Sequence, residues 1–299
     1  MNDIYQTVTD KIITELEAGT VPWLRPWSGD DDLAPRNAFS QRPYRGINAI
    51  LLGMEAHLSG YSTNQWLTFR QAQQLGACVR KGERSSMIIY YEAKMVEKTD
   101  ADTLADGDEP EKRFIPLIKV FNVFNLDQID GLSEAFRAIP PADSDWNASE
   151  VVERIIAGSG ADIRHQGFRA FYSPPNDLIY LPARHHFADA NGYYGTALHE
   201  LCHWTGAPTR LGRKLGRRFG EAAYAMEELV AEIGAAFLTT HCRLEGRLQH
   251  SSYIASWLEV LQRDKRAVFV AAAQAQKAAN YLLEHAGLIS PSEVMPLAA

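Results

Sequence analysis

Cysteine is scarce in this chain, and no long apolar run is present. The 299 residues include three cysteines, Cys78, Cys202 and Cys242, which are widely spaced. An odd number of scattered cysteines argues against a disulfide framework and indicates free thiols in a reducing compartment. No stretch approaches the roughly 18 uncharged apolar residues that a membrane helix needs. The N-terminus also lacks the basic and apolar regions of a signal peptide. We therefore expect a cytoplasmic protein without a membrane partner.

A surplus of positive charge is also missing. The formal net charge is −7, from 30 basic and 37 acidic residues. Any surface that binds nucleic acid must therefore be local. Apolar residues make up 46% of the chain and charged residues 22%, which is typical of globular domains. The length is sufficient for two ordinary domains.

The motif with the clearest chemistry is HExxH, which residues 199–203 carry as HELCH. In a helix, His199 and His203 lie on one face a turn apart, so both imidazoles can bind the same ion. Glu200 lies beside the first ligand and can take a proton from a water molecule that the ion activates. Cys202 faces away from the ion and is expected to pack in the core. The pattern predicts a metal-dependent hydrolase.

A hydrolytic zinc site usually needs a third protein ligand. Residues 224–238 are apolar with a helical period and carry acids at Glu227, Glu228 and Glu232. Glu228 and Glu232 share a helix face with small and apolar side chains, and buried carboxylates are costly without a cation. The spacing leaves both residues open as the third ligand. The alternative is a solvated acidic helix face with no metal.

This arrangement resembles the gluzincin metallopeptidases, in which a helix after HExxH supplies a glutamate ligand. The resemblance implies that Glu228 binds the metal and that Glu232 orients His199. Glu227 is then expected to be a solvated neighbour. Zinc is the expected ion, and manganese is also compatible with two imidazoles and a carboxylate.

Two further expectations concern the substrate. Zincin metallopeptidases have a short β-sheet before the metal helix, and its edge strand pairs with the substrate backbone. The strand predicted at residues 178–181 is the candidate for that edge. Tyr224 is the candidate for stabilising the oxyanion that forms during hydrolysis.

The N-terminal half combines basic and aromatic residues. Between residues 33 and 95 there are eight basic and three acidic residues, with aromatic residues among them. Cations with stacking rings suit single-stranded DNA, which offers both phosphates and base faces. The alternative is a solvated basic face over an aromatic core. The candidate DNA contacts are Arg45, Trp66, Arg70, Lys81 and Arg84, followed by Trp23 and Trp27, which could instead plug the core.

The element pattern predicts an α+β protein with two domains. The N-terminal α+β domain covers residues 1–135, a linker covers residues 136–146, and the metal-binding domain covers residues 147–299. A second basic segment at residues 210–218 lies between the two metal helices, with five basic residues in nine. It is a further candidate for contact with phosphates or an acidic partner.

The two halves together resemble the ArdC-type plasmid antirestriction proteins, whose N-terminal single-stranded-DNA-binding domain also occurs in TraC-type primases. The resemblance spans roughly residues 5 to 285. The matching segments are Pro22-Trp23 with Pro26-Trp27, and residues 44–48 (YRGIN), 66–69 (WLTF), 79–83 (VRKGE), 199–206 (HELCHWTG) and 227–232 (EELVAE).

This resemblance implies single-stranded DNA binding in the bacterial cytoplasm and protection of incoming plasmid DNA, as in conjugation, from host restriction. It also implies a zincin-like, gluzincin-type metallopeptidase domain with one divalent ion. No motif identifies the protein substrate, for which components of the restriction system are candidates. Two alternatives stay open: a DNA-dependent metalloprotease that acts on DNA-bound proteins, and a pure single-stranded-DNA-binding protein with a non-catalytic metal.

Overall fold

The computed structural model describes most of the chain, and the predicted α+β class is confirmed. Trp27, the acidic stretch after the first long strand and most of the predicted linker lie outside the described residues. No helix in the described part is long and apolar enough to cross a membrane. The described ranges are 3–23, 34–97, 112–133, 136, 148–215, 222–244 and 254–290.

The N-terminal half packs three helices against a four-stranded sheet. The helices are α1 (Ile4–Glu17), α2 (Ile47–Leu58) and α3 (Phe69–Gln74). The sheet has the order β1-β2-β5-β4, and β3 pairs with β6 in a separate ribbon. The strands are β1 (Arg36–Asn37), β2 (Gln65–Leu67), β3 (Cys78–Val79), β4 (Ser86–Glu97), β5 (Lys112–Asn125) and β6 (Ile129–Asp130).

The hairpin of β4 and β5 is the largest part of that sheet. The two strands are antiparallel from Ser86 opposite Val123 to Glu97 opposite Lys112. Strand β2 joins β5 only at the end of β5, where Trp66 lies opposite Asn125. At Pro116, β4 is the only described strand that pairs with β5. A proline fits this edge position because it has no N–H to donate to a second neighbour.

The C-terminal half consists of helices around a small sheet. The helices are α4 (Ala148–Ser159), α5 (Ala190–Trp204), α6 (Ala222–Cys242), α7 (Ile254–Arg263) and α8 (Ala267–His285). The strands are β7 (Asp162–His165), β8 (Phe171–Ser173) and β9 (Leu178–Leu181). Strand β9 has the predicted bounds, and β8 pairs with it in antiparallel orientation.

The order of this sheet overturns one prediction. Strand β9 lies between β7 and β8, with a parallel partner on one side and an antiparallel partner on the other. Residues 178–181 therefore form the central strand. The prediction that they form the substrate-binding edge of the sheet is wrong. A short apolar run bounded by turn residues identifies a strand, but it does not tell which strand becomes its parallel neighbour.

One hydrophobic cluster joins the two halves. Buried residues of α1 and α2 pack in it with residues of α6, α7 and α8. The Thr9 hydroxyl donates to the Lys265 carbonyl at 2.8 Å, and the Gly46 N–H donates to Gln276 Oε1 at 3.0 Å. The two predicted domains therefore share part of their hydrophobic core, although each has its own sheet. Their exact bounds stay a prediction.

Two of the tryptophans proposed as DNA contacts lie in the interior of the protein, Trp23 in the shared cluster and Trp66 in a smaller cluster of the N-terminal half. Trp66 is completely buried and packs edge-on against Tyr61 at 5.9 Å. Trp23 is also buried, and its ring centroid is 5.4 Å from that of Trp257. The DNA-contact prediction is wrong for both residues, because their large apolar rings contribute more by core burial than they would in solvent.

Because the core is shared, a cavity in the N-terminal half should destabilise the whole chain. Replacing Ile12, which is fully buried, by alanine should cost about 2–5 kcal/mol of unfolding free energy. Urea unfolding followed by circular dichroism and by tryptophan fluorescence should show a single shifted transition. The half-exposed Leu58 is the control, and Leu58→Ala should change stability by less than about 0.5 kcal/mol. A shift confined to one of two transitions would contradict the shared core.

Candidate metal centre

Helices α5 and α6 bring the predicted metal ligands together. Asp189 caps α5 by accepting the Gly192 N–H at 2.7 Å, and the helix then presents His199 and His203 on successive turns. Helix α6 is buried on nearly all sides between Ala225 and Ala236. A helix enclosed on all sides has no solvated face. Its acidic side chains are therefore held inside the protein beside the two histidines.

Three side chains converge on one point between the helices. His199 Nε2 and His203 Nε2 are 3.1 Å apart. Glu228 places Oε2 3.6 Å from His199 Nε2 and Oε1 3.7 Å from His203 Nε2. Tetrahedral ligands at 2.0–2.2 Å from zinc lie about 3.3–3.5 Å from one another. The triangle therefore has the size that a single divalent ion requires.

Each imidazole also has a carboxylate on its other nitrogen. Glu232 Oε1 lies 3.6 Å from His199 Nδ1, at the position that the gluzincin resemblance implies. Glu227 Oε1 lies 3.2 Å from His203 Nδ1. A carboxylate at Nδ1 favours the tautomer that leaves Nε2 free to bind a metal.

The prediction that Glu227 is a solvated neighbour is wrong. Only 5% of the residue is exposed, the same fraction as for Glu228. The sequence held a signal for this position, because Val230, Ala231 and Gly234 follow Glu227 at helical spacing. All three are apolar or small, so the face that carries Glu227 had to be buried as well.

Arg213 holds Glu227 in place and was not identified from the sequence. Its Nε donates to Glu227 Oε2 at 3.0 Å and its Nη2 donates to Glu227 Oε1 at 2.7 Å. The same guanidinium donates to the Cys202 carbonyl at 2.6 Å and to Thr205 Oγ1 at 2.9 Å. Arg213 thus balances a buried carboxylate and satisfies a carbonyl near the end of α5, where helices leave such groups unpaired.

Gly206 permits this approach of Arg213. A Cβ atom at residue 206 would lie 2.6 Å from Leu215 Cδ2 and 3.0 Å from Arg213 Nη2. A larger residue would therefore force the Leu215 and Arg213 side chains to shift. The glycine that follows the HExxH helix lets these two side chains pack closely against the helix end.

Two arginines of the basic segment, Arg210 and Arg213, turn inward, whereas Lys214 is exposed. The Arg210 guanidinium lies over the Trp204 ring, 3.7 Å from its centroid, and its Nη1 donates to Asp177 Oδ2 at 3.0 Å. The Arg210 and Arg213 side chains are only 7% and 6% exposed. These two arginines bind acids of their own chain, which does not fit the proposed phosphate contact. Residues 216–218 lie outside the described residues.

Burial and charge shift the ionisation of the centre. Burial lowers the pKa of His203, but hydrogen bonds to Glu227 and Glu228 outweigh it and raise that pKa to about 10. Burial raises the pKa of Glu228, but hydrogen bonds from His199 and His203 hold that pKa far below its usual value. The buried carboxylates therefore require positive charge between them. A divalent cation can supply that charge by displacing the imidazole protons.

Glu200 lies beside this triangle in a different environment. It is 6% exposed. Burial raises the pKa of its carboxyl group, while His199, His203 and the backbone N–H of Tyr172 act in the opposite direction. Tyr172 belongs to β8, so this strand borders the site. A carboxylate with a raised pKa is suited to accept a proton near neutral pH.

Cys202 has the packing role that the sequence predicted. It is fully buried, and burial raises the pKa of its thiol to about 12, so it is not poised to act as a thiolate ligand. A Cβ atom at Gly234 would lie 2.7 Å from Cys202 Sγ. The thiol and the glycine therefore let α5 and α6 approach closely.

The other predicted functional residues are dispersed. Tyr224 is half-buried on α6, one turn before Glu228, and its role as oxyanion donor stays a prediction. Arg45 is half-buried in the N-terminal half. Arg70, Lys81 and Arg84 are exposed there, as DNA contacts require.

Comparison with known proteins identifies both halves. Residues 2–124 match the N-terminal domain of anti-restriction factor ArdC, and residues 150–274 match a zincin-like metallopeptidase family. The metal-free crystal structure of the antirestriction protein ArdC from plasmid R388 superimposes with a TM-score of 0.79 at 41% identity, over 96% of this chain and 99% of that one. This chain belongs to the ArdC antirestriction family.

Further similar proteins extend the comparison. The Mn(II)-bound structure of the R388 ArdC protein has a TM-score of 0.78 at 39% identity, covering 96% of this chain and all of that one (100%). An uncharacterised protein of Sinorhizobium fredii, y4eC, is 40% identical over 285 residues, which are 94% of this chain and 91% of the relative. A DNA primase TraC of Escherichia coli is 39% identical over 93% of this chain, which spans only 27% of that primase.

The contacts of Glu227 predict that it tunes metal affinity. Glu227→Gln keeps the side-chain size but removes the charge at His203 Nδ1, and loss of such a partner typically weakens metal binding 10- to 100-fold. Titration calorimetry with zinc or manganese would measure the change. Arg263→Gln is the control, because the Arg263 side chain is 74% exposed. This substitution should leave the metal affinity unchanged. Equal affinity of Glu227→Gln and the wild type would show that Glu227 does not orient the ligand.

Proposed function

We propose that this chain is an antirestriction protein that binds single-stranded DNA and hydrolyses peptide bonds at a divalent-metal centre. Its membership of the ArdC family supports the antirestriction role. The observation that carries the hydrolytic part is the convergence of two histidine Nε2 atoms and the Glu228 carboxylate beside a buried Glu200. A purely structural zinc site would usually have four protein ligands.

His199, His203 and Glu228 would hold the ion. Their three donor atoms lie within 4.8 Å of one another, and two imidazoles with a carboxylate match the catalytic zinc sites of metallopeptidases. When bound, the ion would act as a Lewis acid that polarises a carbonyl and activates water. Zinc is the proposed ion. Manganese is compatible with the same donors, and a Mn(II)-bound structure of the R388 relative supports a divalent metal.

The surrounding residues would orient the ligands and move the proton. Glu200 acts as general base, because it is adjacent to His199 and its carboxyl pKa is raised by burial. Glu232 and Glu227 orient His199 and His203 through their Nδ1 atoms. Tyr224 remains the proposed oxyanion donor.

The substrate would lie against a different strand from the one that the sequence suggested. Strand β8 is an edge of the small sheet and borders Glu200 through Tyr172. We infer that a peptide adds to the sheet at β8, with backbone hydrogen bonds that do not depend on its sequence. The protein substrate is unknown, and components of a restriction system are candidates.

Single-stranded DNA would bind to the N-terminal half. The proposal is supported by the match of residues 2–124 to the ArdC N-terminal domain and by the similarity to TraC primases. Exposed basic residues of this half are suited to phosphate contact in a chain of net charge −7. Arg45, Arg70, Lys81 and Arg84 remain the proposed contacts, and the bacterial cytoplasm is the proposed compartment.

Removing the proposed base should separate metal binding from hydrolysis. Glu200→Gln should retain one ion per chain and the wild-type fold but lose peptide hydrolysis, because Glu200 accepts the proton and does not bind the ion. Metal analysis and a peptidase assay with and without single-stranded DNA would check this. If the wild type hydrolyses peptide only when DNA is present, the result would favour the DNA-dependent protease. Loss of the metal in Glu200→Gln would contradict the assigned roles.

Removing a proposed ligand, in contrast, should abolish metal binding. His203→Ala should lose the ion, because only two donors then remain. Elemental analysis of the dialysed variant and wild type would measure the metal content. If Glu200→Gln and His203→Ala both still protected DNA in cells, the chain would act by DNA binding alone. Equal metal content in His203→Ala and wild type would exclude this site.

A further inference from the structure

We propose that two exposed phenylalanines, Phe39 and Phe69, form the surface on which bases of single-stranded DNA stack, with Arg42 and Arg70 binding the phosphates. These four residues are together called the stacking surface. The inference rests on the proposed DNA-binding function and gives it a location. It replaces Trp23 and Trp66, whose burial removes them from contact with a ligand.

Hydrogen bonds fix the two parts of the stacking surface relative to each other. The turn that carries Phe39 is tied to β2, since the Ala38 N–H donates to the Trp66 carbonyl at 2.9 Å. It is also tied to α3, since Asn37 Nδ2 donates to Gln71 Oε1 at 3.0 Å. The same Gln71 oxygen accepts the Thr68 N–H at 2.9 Å at the start of α3. Residues 37–42 and the first turn of α3 therefore form one rigid unit.

The turn itself has a defined conformation. Asn37 Oδ1 accepts the N–H groups of Phe39 at 3.1 Å and Ser40 at 2.9 Å. These bonds hold the Phe39 backbone in a side-chain-stabilised turn. A ring on a rigid backbone loses little conformational freedom when a base stacks on it, which favours binding.

Both rings leave about half of their surface accessible to a ligand. Phe39 is 49% and Phe69 is 48% exposed, while the neighbouring Trp66 is completely buried. Phe69 has its other side against Phe124, with ring centroids 6.4 Å apart. One part of Phe69 is thus anchored in the fold and the rest is available to a base, as stacking requires.

The charge around these rings favours a polyanion over an apolar protein surface. Residues 34–82 contain six basic residues and a single acid, Glu55. Arg42 and Arg70 are exposed, and no carboxylate of the described residues forms an ion pair with either. Acids on neighbouring elements have their own partners: Asp127 binds Ser62, and Glu83 binds Arg80.

Rings and cations make separable contributions to affinity. Unpaired bases expose faces that a ring can cover, whereas paired bases are already stacked, so the rings should discriminate single strands from duplexes. The arginines meet phosphates on either form, and each single-strand phosphate contact changes the slope of log affinity against log salt concentration by about 0.7. The two kinds of substitution should therefore give different signatures.

The test uses the full chain and a labelled oligothymidine of about 16 nucleotides, with a duplex of equal length as competitor. Phe39→Ala and Phe69→Ala should each weaken single-strand binding roughly 5- to 150-fold and leave the salt slope unchanged. Phe69→Tyr should restore most of the affinity. Arg42→Gln combined with Arg70→Gln should reduce the salt slope by about 1.4, the sum for two contacts.

Two exposed residues of the C-terminal half serve as matched controls. Phe168 is 84% exposed, and the Arg263 side chain is 74% exposed, so Phe168→Ala and Arg263→Gln should bind DNA as the wild type does. Thermal unfolding of every variant would confirm that the fold is intact.

The outcomes distinguish this surface from DNA binding in general. If the wild type binds single strands and the Phe39 and Phe69 variants bind equally well, the stacking surface is wrong while the proposed function stands. A surface that instead contacts a protein partner would give that result. Equal loss of single-strand and duplex binding would also overturn base stacking. A wild type that does not bind single-stranded DNA would remove the proposed function itself.

Discussion

The structure depends on how it accommodates buried negative charge between α5 and α6. Glu200, Glu227, Glu228 and Glu232 are all buried. Such carboxylates are costly in a protein interior unless each has a cation or a hydrogen-bond donor. Arg213 compensates Glu227, and the two histidines contact Glu228 and Glu232. A divalent ion at the shared Nε2 position completes this compensation, which is why a metal centre is the account that best fits these residues.

Helix α6 connects these buried carboxylates to the hydrophobic core of the molecule. One part of its surface presents Glu227, Glu228 and Glu232 to the histidines, and another presents Leu229, Val230 and Ile233 to the core shared with α1 and α2. The helix that holds a proposed ligand therefore packs directly against the N-terminal half. This shared packing places the metal centre and the N-terminal half in physical contact through α6.

The local patterns predicted much of the site and of the C-terminal fold. The spacing of HExxH placed His199 and His203 on one helix face, and the strand predicted at residues 178–181 has the bounds of β9. The errors all concern tertiary context. Glu227, Trp23 and Trp66 are buried by elements far away in the chain, and the central position of β9 depends on its pairing with β7. Arg213 was missed because a basic, glycine-rich loop resembles a solvated connector until its buried partner is known.

The most direct test is the position of the ion in a crystal grown with zinc or manganese, located by anomalous scattering. We predict one peak per chain, at about 2.0–2.2 Å from His199 Nε2, His203 Nε2 and a Glu228 oxygen. Glu227 and Glu232 should remain on the Nδ1 atoms, outside ligand distance. A peak bound by Glu227 or Glu232, or no peak between the two histidines at saturating metal, would contradict this metal site.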